Sequence, residues 1–206
     1  MARGRLITIE GLDGAGKSTL AEGLARACAE RGRAVELLRE PGGAAVSERI
    51  RALVKDPSLS IGARAEALLY AAARAQLVSE RVRPSLELGE LVLLDRFVDS
   101  SLAYQGAGRG LGVREVRAIN LFATGGLTPD RTLLLRVSPA QGRARLRARA
   151  HGRDRLERED EHFFAAVAAA YEQLARDEPE RIRVLDASRA PERVLTDALA
   201  AVEDLL

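Results

Sequence analysis

Cysteine, lysine, aromatic residues and long apolar runs are all scarce in this chain, and each scarcity removes a class of protein. The single cysteine, Cys28, has no partner for a disulfide. It falls at an apolar position of the first helical pattern, so a cross-linked framework is excluded and a reducing compartment is expected. No apolar run approaches the length of a membrane span. The first strand-like run starts so near Met1 that a signal peptide is not expected, and the expectation is a soluble, cytoplasmic protein with no membrane partner. Aromatic residues make up 3% of the chain and tryptophan is absent, while 32 basic residues are nearly balanced by 30 acidic ones. With so few rings for base stacking and so little net charge, nucleic acid is not an expected partner.

Lys17 and Lys55 are the only lysines among the 32 basic residues, so positive charge is carried almost wholly by arginine. A guanidinium suits bidentate contact with phosphate. Arginine and alanine are nevertheless spread over helix faces with no evident task, so each arginine needs a positional argument.

What is present suits one α/β domain spanning residues 1–206, long enough to bury most of its apolar surface without cross-links. Strand-like runs occur at Leu6–Glu10, Ala34–Arg39, Leu91–Asp95, Thr132–Val137 and Ile182–Asp186. Helical patterns separate them, at Lys17–Arg31, Ala44–Lys55, Ala63–Glu87, Val113–Ala123, Pro139–Ala150, Glu157–Asp177 and Pro191–Leu206. This alternation predicts a five-stranded parallel sheet with helices on both faces. Loops follow strands at Glu40–Gly43 and Arg96–Asp99, and a glycine-rich loop is expected at Gly106–Gly112. In a doubly wound sheet the ligand sits at the carboxyl ends of the strands.

Glu10-Gly11-Leu12-Asp13-Gly14-Ala15-Gly16-Lys17-Ser18-Thr19 follows the apolar run Leu6–Ile9 and opens the first helix, the context of a phosphate-binding loop. Gly11 and Gly16 permit backbone conformations that turn successive N–H groups towards phosphate oxygens, and the helix start adds its positive dipole end. Lys17 is expected on the β- and γ-phosphates of a nucleoside triphosphate and Ser18 on Mg²⁺. Asp95, closing a buried strand, is the expected acidic partner for that metal or its waters; a helix cap or an ion pair with Arg96 is the alternative. Arg96 lies beyond the strand end and is placed to hold a second phosphate.

These residues resemble the nucleoside monophosphate kinases and, among them, the thymidylate kinases. The resemblance covers nearly the whole chain. It rests on the phosphate loop, on Arg39-Glu40-Pro41-Gly42-Gly43, on Asp95-Arg96-Phe97 followed by Ser100, Ser101, Tyr104 and Gln105, and on the arginine-rich stretch around Asp154-Arg155. It implies a P-loop NTPase-type fold, ATP and dTMP as substrates, Mg²⁺ as cofactor, and a homodimer. It assigns Asp13 to the sugar 3′-hydroxyl and to Arg96. Tyr70 and Arg74, four apart on one helix face, would stack on the base and donate to its carbonyl; core packing and solvation are the alternative. Ser100 and Ser101 would meet the pyrimidine, with capping as the alternative for Ser100, and Tyr104 would meet the deoxyribose at its 2′ position. The Glu40–Pro41 bond is often cis in the family, with a trans turn as the alternative. Gly14 in the loop places the chain with members whose lid, here residues 148–158, supplies the catalytic arginine. Arg149, Arg153 and Arg155 are the candidates.

The residues admit two other readings. A deoxynucleoside kinase would lack the acceptor phosphate that Arg96 is assigned to hold. A nucleotide-dependent switch would carry a guanine-specifying Asn-Lys-x-Asp motif, which the chain lacks.

Overall fold

The computed structural model describes residues 3–148 and 154–206. Five parallel strands, β1 (Arg5–Gly11), β2 (Val35–Arg39), β3 (Leu91–Asp95), β4 (Arg131–Arg136) and β5 (Ile182–Asp186), form one sheet in the order β2-β3-β1-β4-β5. Each expected strand is present to within a residue at either end. Alternation along them divides the apolar side chains between two cores. Ile7, Ile9, Leu91, Leu93 and Leu133 face one side, while Leu6, Val92 and Leu94 face the other.

The first core is covered by α1 (Lys17–Glu30), α8 (Glu161–Asp177) and α9 (Pro191–Val202), and holds Cys28 fully buried. The second is covered mainly by the end of α3 (Ala63–Leu77) and the helical turns after it, through Leu77, Val78, Val82 and Leu86. α2 (Ala45–Lys55) and α6 (Val113–Thr124) pack against α3. The expected helix Ala63–Glu87 runs its full length, but Val78–Val82 is a π-helical turn before α4 (Arg83–Glu87). Pro84 has no N–H and its ring crowds the carbonyl four residues back, which the wider turn accommodates.

Three expected boundaries are revised. Gly106–Gly108 is not loop: α5 (Val98–Ser101) continues through a π-helical stretch, Leu102–Gly108. The expected helix Glu157–Asp177 is broken, because Asp160 accepts from the Phe163 N–H at 2.8 Å and starts α8 afresh after a short turn at Leu156–Arg158. α7 spans Pro139–Arg147 within the described residues, with Ser138 and Gln141 forming a capping box.

Register fixes where the loops emerge. Ile9 lies opposite Asp95, Asp95 opposite Arg39, and Gly11 opposite Leu135. The chain segments following β1, β2 and β3 therefore leave the sheet along one edge, beside one another.

Candidate active site

The phosphate loop begins where β1 ends. Gly11 has φ 136°, and a Cβ there would meet the Leu135 carbonyl oxygen at 2.5 Å, so this position is restricted to glycine. Leu12 and Ala15 point into the core, which anchors the loop and leaves its backbone turned to the cavity. Gly16, with φ 96°, leads into α1. A Cβ at Gly14 would lie 2.3 Å from the Gly142 carbonyl oxygen, so the loop abuts α7 and no side chain fits between them. Thr19 is exposed on the first turn of α1 and does not line the cavity.

Lys17 is buried, and its Nζ donates to the Gly11 and Leu12 carbonyls at 3.1 and 2.8 Å. Burial and the nearby Arg96 guanidinium lower its pKa to about 8, against the opposing pull of Asp13, Asp95 and Glu10. Ser18 Oγ donates to Asp95 Oδ2 at 2.7 Å. Among the described residues no cluster of three metal-binding side chains exists, so this hydroxyl and carboxylate are the protein's oxygen donors here. Mg²⁺ usually takes one or two protein oxygens plus phosphate and water, and the pair fits it.

Arg96 is the one non-glycine described residue with positive φ, at 72°, a conformation that costs about 1–3 kcal/mol and persists only when its surroundings fix it. Its N–H donates to the Ile9 carbonyl at 3.0 Å. The guanidinium reaches Asp13 Oδ1 at 2.5 Å, Ser100 Oγ at 2.9 Å and the Gly11 carbonyl at 3.2 Å, and stacks over the Tyr104 ring. Tyr104 donates to Asp13 Oδ2 at 2.9 Å. Burial would raise the Asp13 pKa, but Arg96, Lys17 and the Tyr104 hydroxyl together hold it well below the usual carboxylate range. The expected Asp13–Arg96 pairing is thus present, with Tyr104 attached to it.

Four site assignments meet a more crowded environment than sequence alone conveys. Arg74 is fully buried. It pairs with Glu40 at 2.6 Å and donates to Ser101 Oγ and the Phe97 carbonyl, both at 2.9 Å, and to Asn120 Oδ1. These partners occupy its N–H groups, so the solvated alternative is excluded and a base carbonyl must compete with acceptors already in place. Ser100 is likewise engaged, donating to Glu10 Oε2 at 2.6 Å while accepting from Arg96; it braces the wall. Gln105 Nε2 donates to Glu66 Oε1 at 2.8 Å. Arg155 is held by Glu66 Oε2 at 2.6 Å and the Val54 carbonyl at 3.0 Å and does not line the cavity, so it ties residues 154–158 to α2 and α3. Arg149 and Arg153 lie outside the described residues.

Tyr70, Arg74, Ser100, Ser101 and Gln105 all line the cavity, as do Glu40 and Pro41, whose peptide bond is cis. Burial raises the Glu40 carboxyl to about 7, only partly offset by Arg74, and its Oε1 is buried without a hydrogen-bond partner. Sequence reasoning missed Arg51 and Lys55, which add cations to the cavity: Arg51 donates to the Pro41 carbonyl at 2.7 Å and Lys55 pairs with Asp154 at 2.9 Å. It names Glu10 at the head of the phosphate-loop motif without giving it a role, and it misses Glu66; both carboxylates are fully buried.

A glycine loop with a buried lysine, a hydroxyl–carboxylate pair and an arginine–aspartate pair, all at the carboxyl ends of the strands, define a P-loop nucleotide-binding protein. Comparison with known proteins narrows this. A family model described as thymidylate kinase matches residues 9–198. The chain is 48% identical over 204 residues to the thymidylate kinase of Deinococcus radiodurans, covering 99% of this chain and 98% of that one. It is 51% identical over 194 residues to that of Leifsonia xyli subsp. xyli, covering 94% and 92%. The crystal structure of the Ehrlichia chaffeensis thymidylate kinase superposes with a TM-score of 0.81 at 26% identity, covering 98% of this chain and 99% of that one. The chain belongs to the thymidylate kinase family.

Proposed function

We propose that the chain transfers the γ-phosphoryl group of ATP to the phosphate of dTMP, giving dTDP and ADP. The observation that carries this reading is the pairing, in one cavity, of the Lys17–Ser18–Asp95 cluster with the Arg96–Asp13–Tyr104 wall. The loop backbone and Lys17 bind the donor triphosphate. Arg96, with Arg51 and Lys55 nearby, receives the acceptor phosphate, and Asp13 and Tyr104 face its sugar. Tyr70 stacks on the base, and Ser101 offers its hydroxyl proton.

An acceptor phosphate oxygen forms a bond to the γ-phosphorus as the bond to the β–γ bridging oxygen breaks, and that oxygen leaves on ADP. A phosphate monoester loses its second proton at about pH 6, so the attacking oxygen is already anionic and needs no general base. The protein's task is to align two anions that repel each other and to offset their charge. Lys17 and Arg96 both supply positive charge for this, and Arg149 and Arg153 are the candidates for a third cation. Ser18 and Asp95 would hold Mg²⁺, which when bound offsets charge on the triphosphate.

No described helix is long and apolar enough to cross a membrane. α3 and α6 leave Leu68, Leu121 and Phe122 exposed, Phe122 by 91%. We read this as the face of a homodimer in the cytoplasm. Phe122→Glu is expected to shift sedimentation towards the monomer, and an unchanged dimer would place the interface elsewhere.

ADP release measured across dTMP, dUMP, dCMP and UMP tests the reaction. The highest kcat/KM is expected for dTMP, and an absence of preference among the four would refute the acceptor assignment.

A further inference from the structure

The geometry points to Glu10 as a positioning residue that sets the Arg96 guanidinium by fixing the turn between β3 and α5. The inference rests on the assignment of Arg96 to the acceptor phosphate. Glu10 does not line the cavity and touches no substrate there. It is fully buried in the sheet, and burial and the neighbouring Asp99 raise its pKa against the pull of Arg96, Ser100 and Phe97.

Both of its oxygens are spent on the turn and on the helix behind it. Oε1 accepts from the Phe97 N–H at 2.8 Å and the Ser100 N–H at 3.2 Å. Oε2 accepts from Ser100 Oγ at 2.6 Å and from the Tyr171 hydroxyl at 2.9 Å. Ser100 Oγ in turn accepts from Arg96 Nη1 at 2.9 Å. The chain Glu10–Ser100–Arg96 therefore links a buried carboxylate to the cation at the acceptor wall. The Phe97 bond lies immediately after the residue with positive φ, and the Arg96 N–H is itself held by Ile9. Two consecutive residues of β1 thus stitch down two consecutive residues of the turn, and without a carboxylate at position 10 the second stitch and the Ser100 relay both lose an acceptor.

A residue of merely structural importance would weaken both substrates or neither, and would do so whether or not Arg96 were present. The test is a double-mutant cycle with Glu10→Gln and Arg96→Ala, reading KM for dTMP, KM for ATP and kcat. Glu10→Gln keeps the shape and replaces one accepting oxygen with an amide NH₂. Loss of one charge-assisted hydrogen bond predicts a rise in KM for dTMP of about tenfold or more, with KM for ATP nearly unchanged. In the Arg96→Ala background the same substitution should cost nothing further. Independent, multiplying effects, or an equal rise in KM for ATP, would overturn the positioning role alone. A normal KM for dTMP in Arg96→Ala would overturn both the acceptor assignment and this inference. If Glu10→Gln fails to fold, Tyr171→Phe removes one of the four donors to Glu10 and should raise KM for dTMP less, again only while Arg96 is present.

Discussion

The donor side of the cleft is built from consecutive residues and the acceptor side from scattered ones. From Gly11 to Ser18 the loop takes its shape from glycines and its anchorage from Leu12 and Ala15; its cation is Lys17, while its one carboxylate, Asp13, turns to Arg96 and Tyr104. The acceptor wall instead draws Glu40 from the end of β2, Arg74 from α3, Arg96 from the end of β3, and Tyr104 and Gln105 from the π-helical stretch after α5. These side chains are held by one another. A loop of the first kind tolerates changes in its surroundings as long as the backbone keeps its path. A wall of the second kind is a network in which each partner's removal strands another buried polar group.

Arg74 puts that contrast to its strongest test. Arg74→Ala leaves the Glu40 carboxyl, Asn120 Oδ1 and the Phe97 carbonyl without their donor. Removing one member of a buried ion pair typically costs about 3–5 kcal/mol, and a loss in this range is expected in denaturant unfolding. A loss below about 1 kcal/mol, the size of an exposed pair, would show that the guanidinium is free to serve a ligand and that the wall is less interlocked than described.

Titration sharpens the same comparison with a smaller effect. Lys17 loses its proton near pH 8, because burial and Arg96 lower its pKa. Asp13 on the acceptor side is held well below the carboxylate range and stays ionised throughout. The kcat/KM for ATP reports groups of the free enzyme, so it should fall by about tenfold for each pH unit above that value. The affinity for dTMP should stay level over the same span. A parallel fall in dTMP affinity would mean that the two sides share a titrating group.

The contrast also explains what could be read before any coordinates. All five strands were legible, because apolar runs bounded by turns carry their signal locally, and so was the phosphate loop, whose spacing is its mechanism. On the acceptor side the residue types were legible but their partners were not. Ser100 and Arg74 line the cavity and Arg155 does not, and each also has protein partners that spacing does not reveal: Ser100 has Glu10, Arg74 has Glu40 and Asn120, Arg155 has Glu66. Which acceptor a guanidinium finds depends on residues as far apart in sequence as Glu66 and Arg155, and no periodicity encodes that. The break before α8 was missed for a related reason. Asp160 reads as one more charge in an acidic stretch until its carboxylate is seen on the Phe163 N–H.

The central claim is that Lys17 and Arg96, though both line one cavity, serve different substrates. Calorimetric titration of dTMP into Lys17→Ala and Arg96→Ala tests it most directly. Loss of a charged contact to phosphate predicts a Kd raised by about tenfold to a hundredfold in Arg96→Ala, with dTMP affinity in Lys17→Ala close to that of the parent. Equal weakening of dTMP binding in both variants would contradict the division of the cleft into donor and acceptor sides.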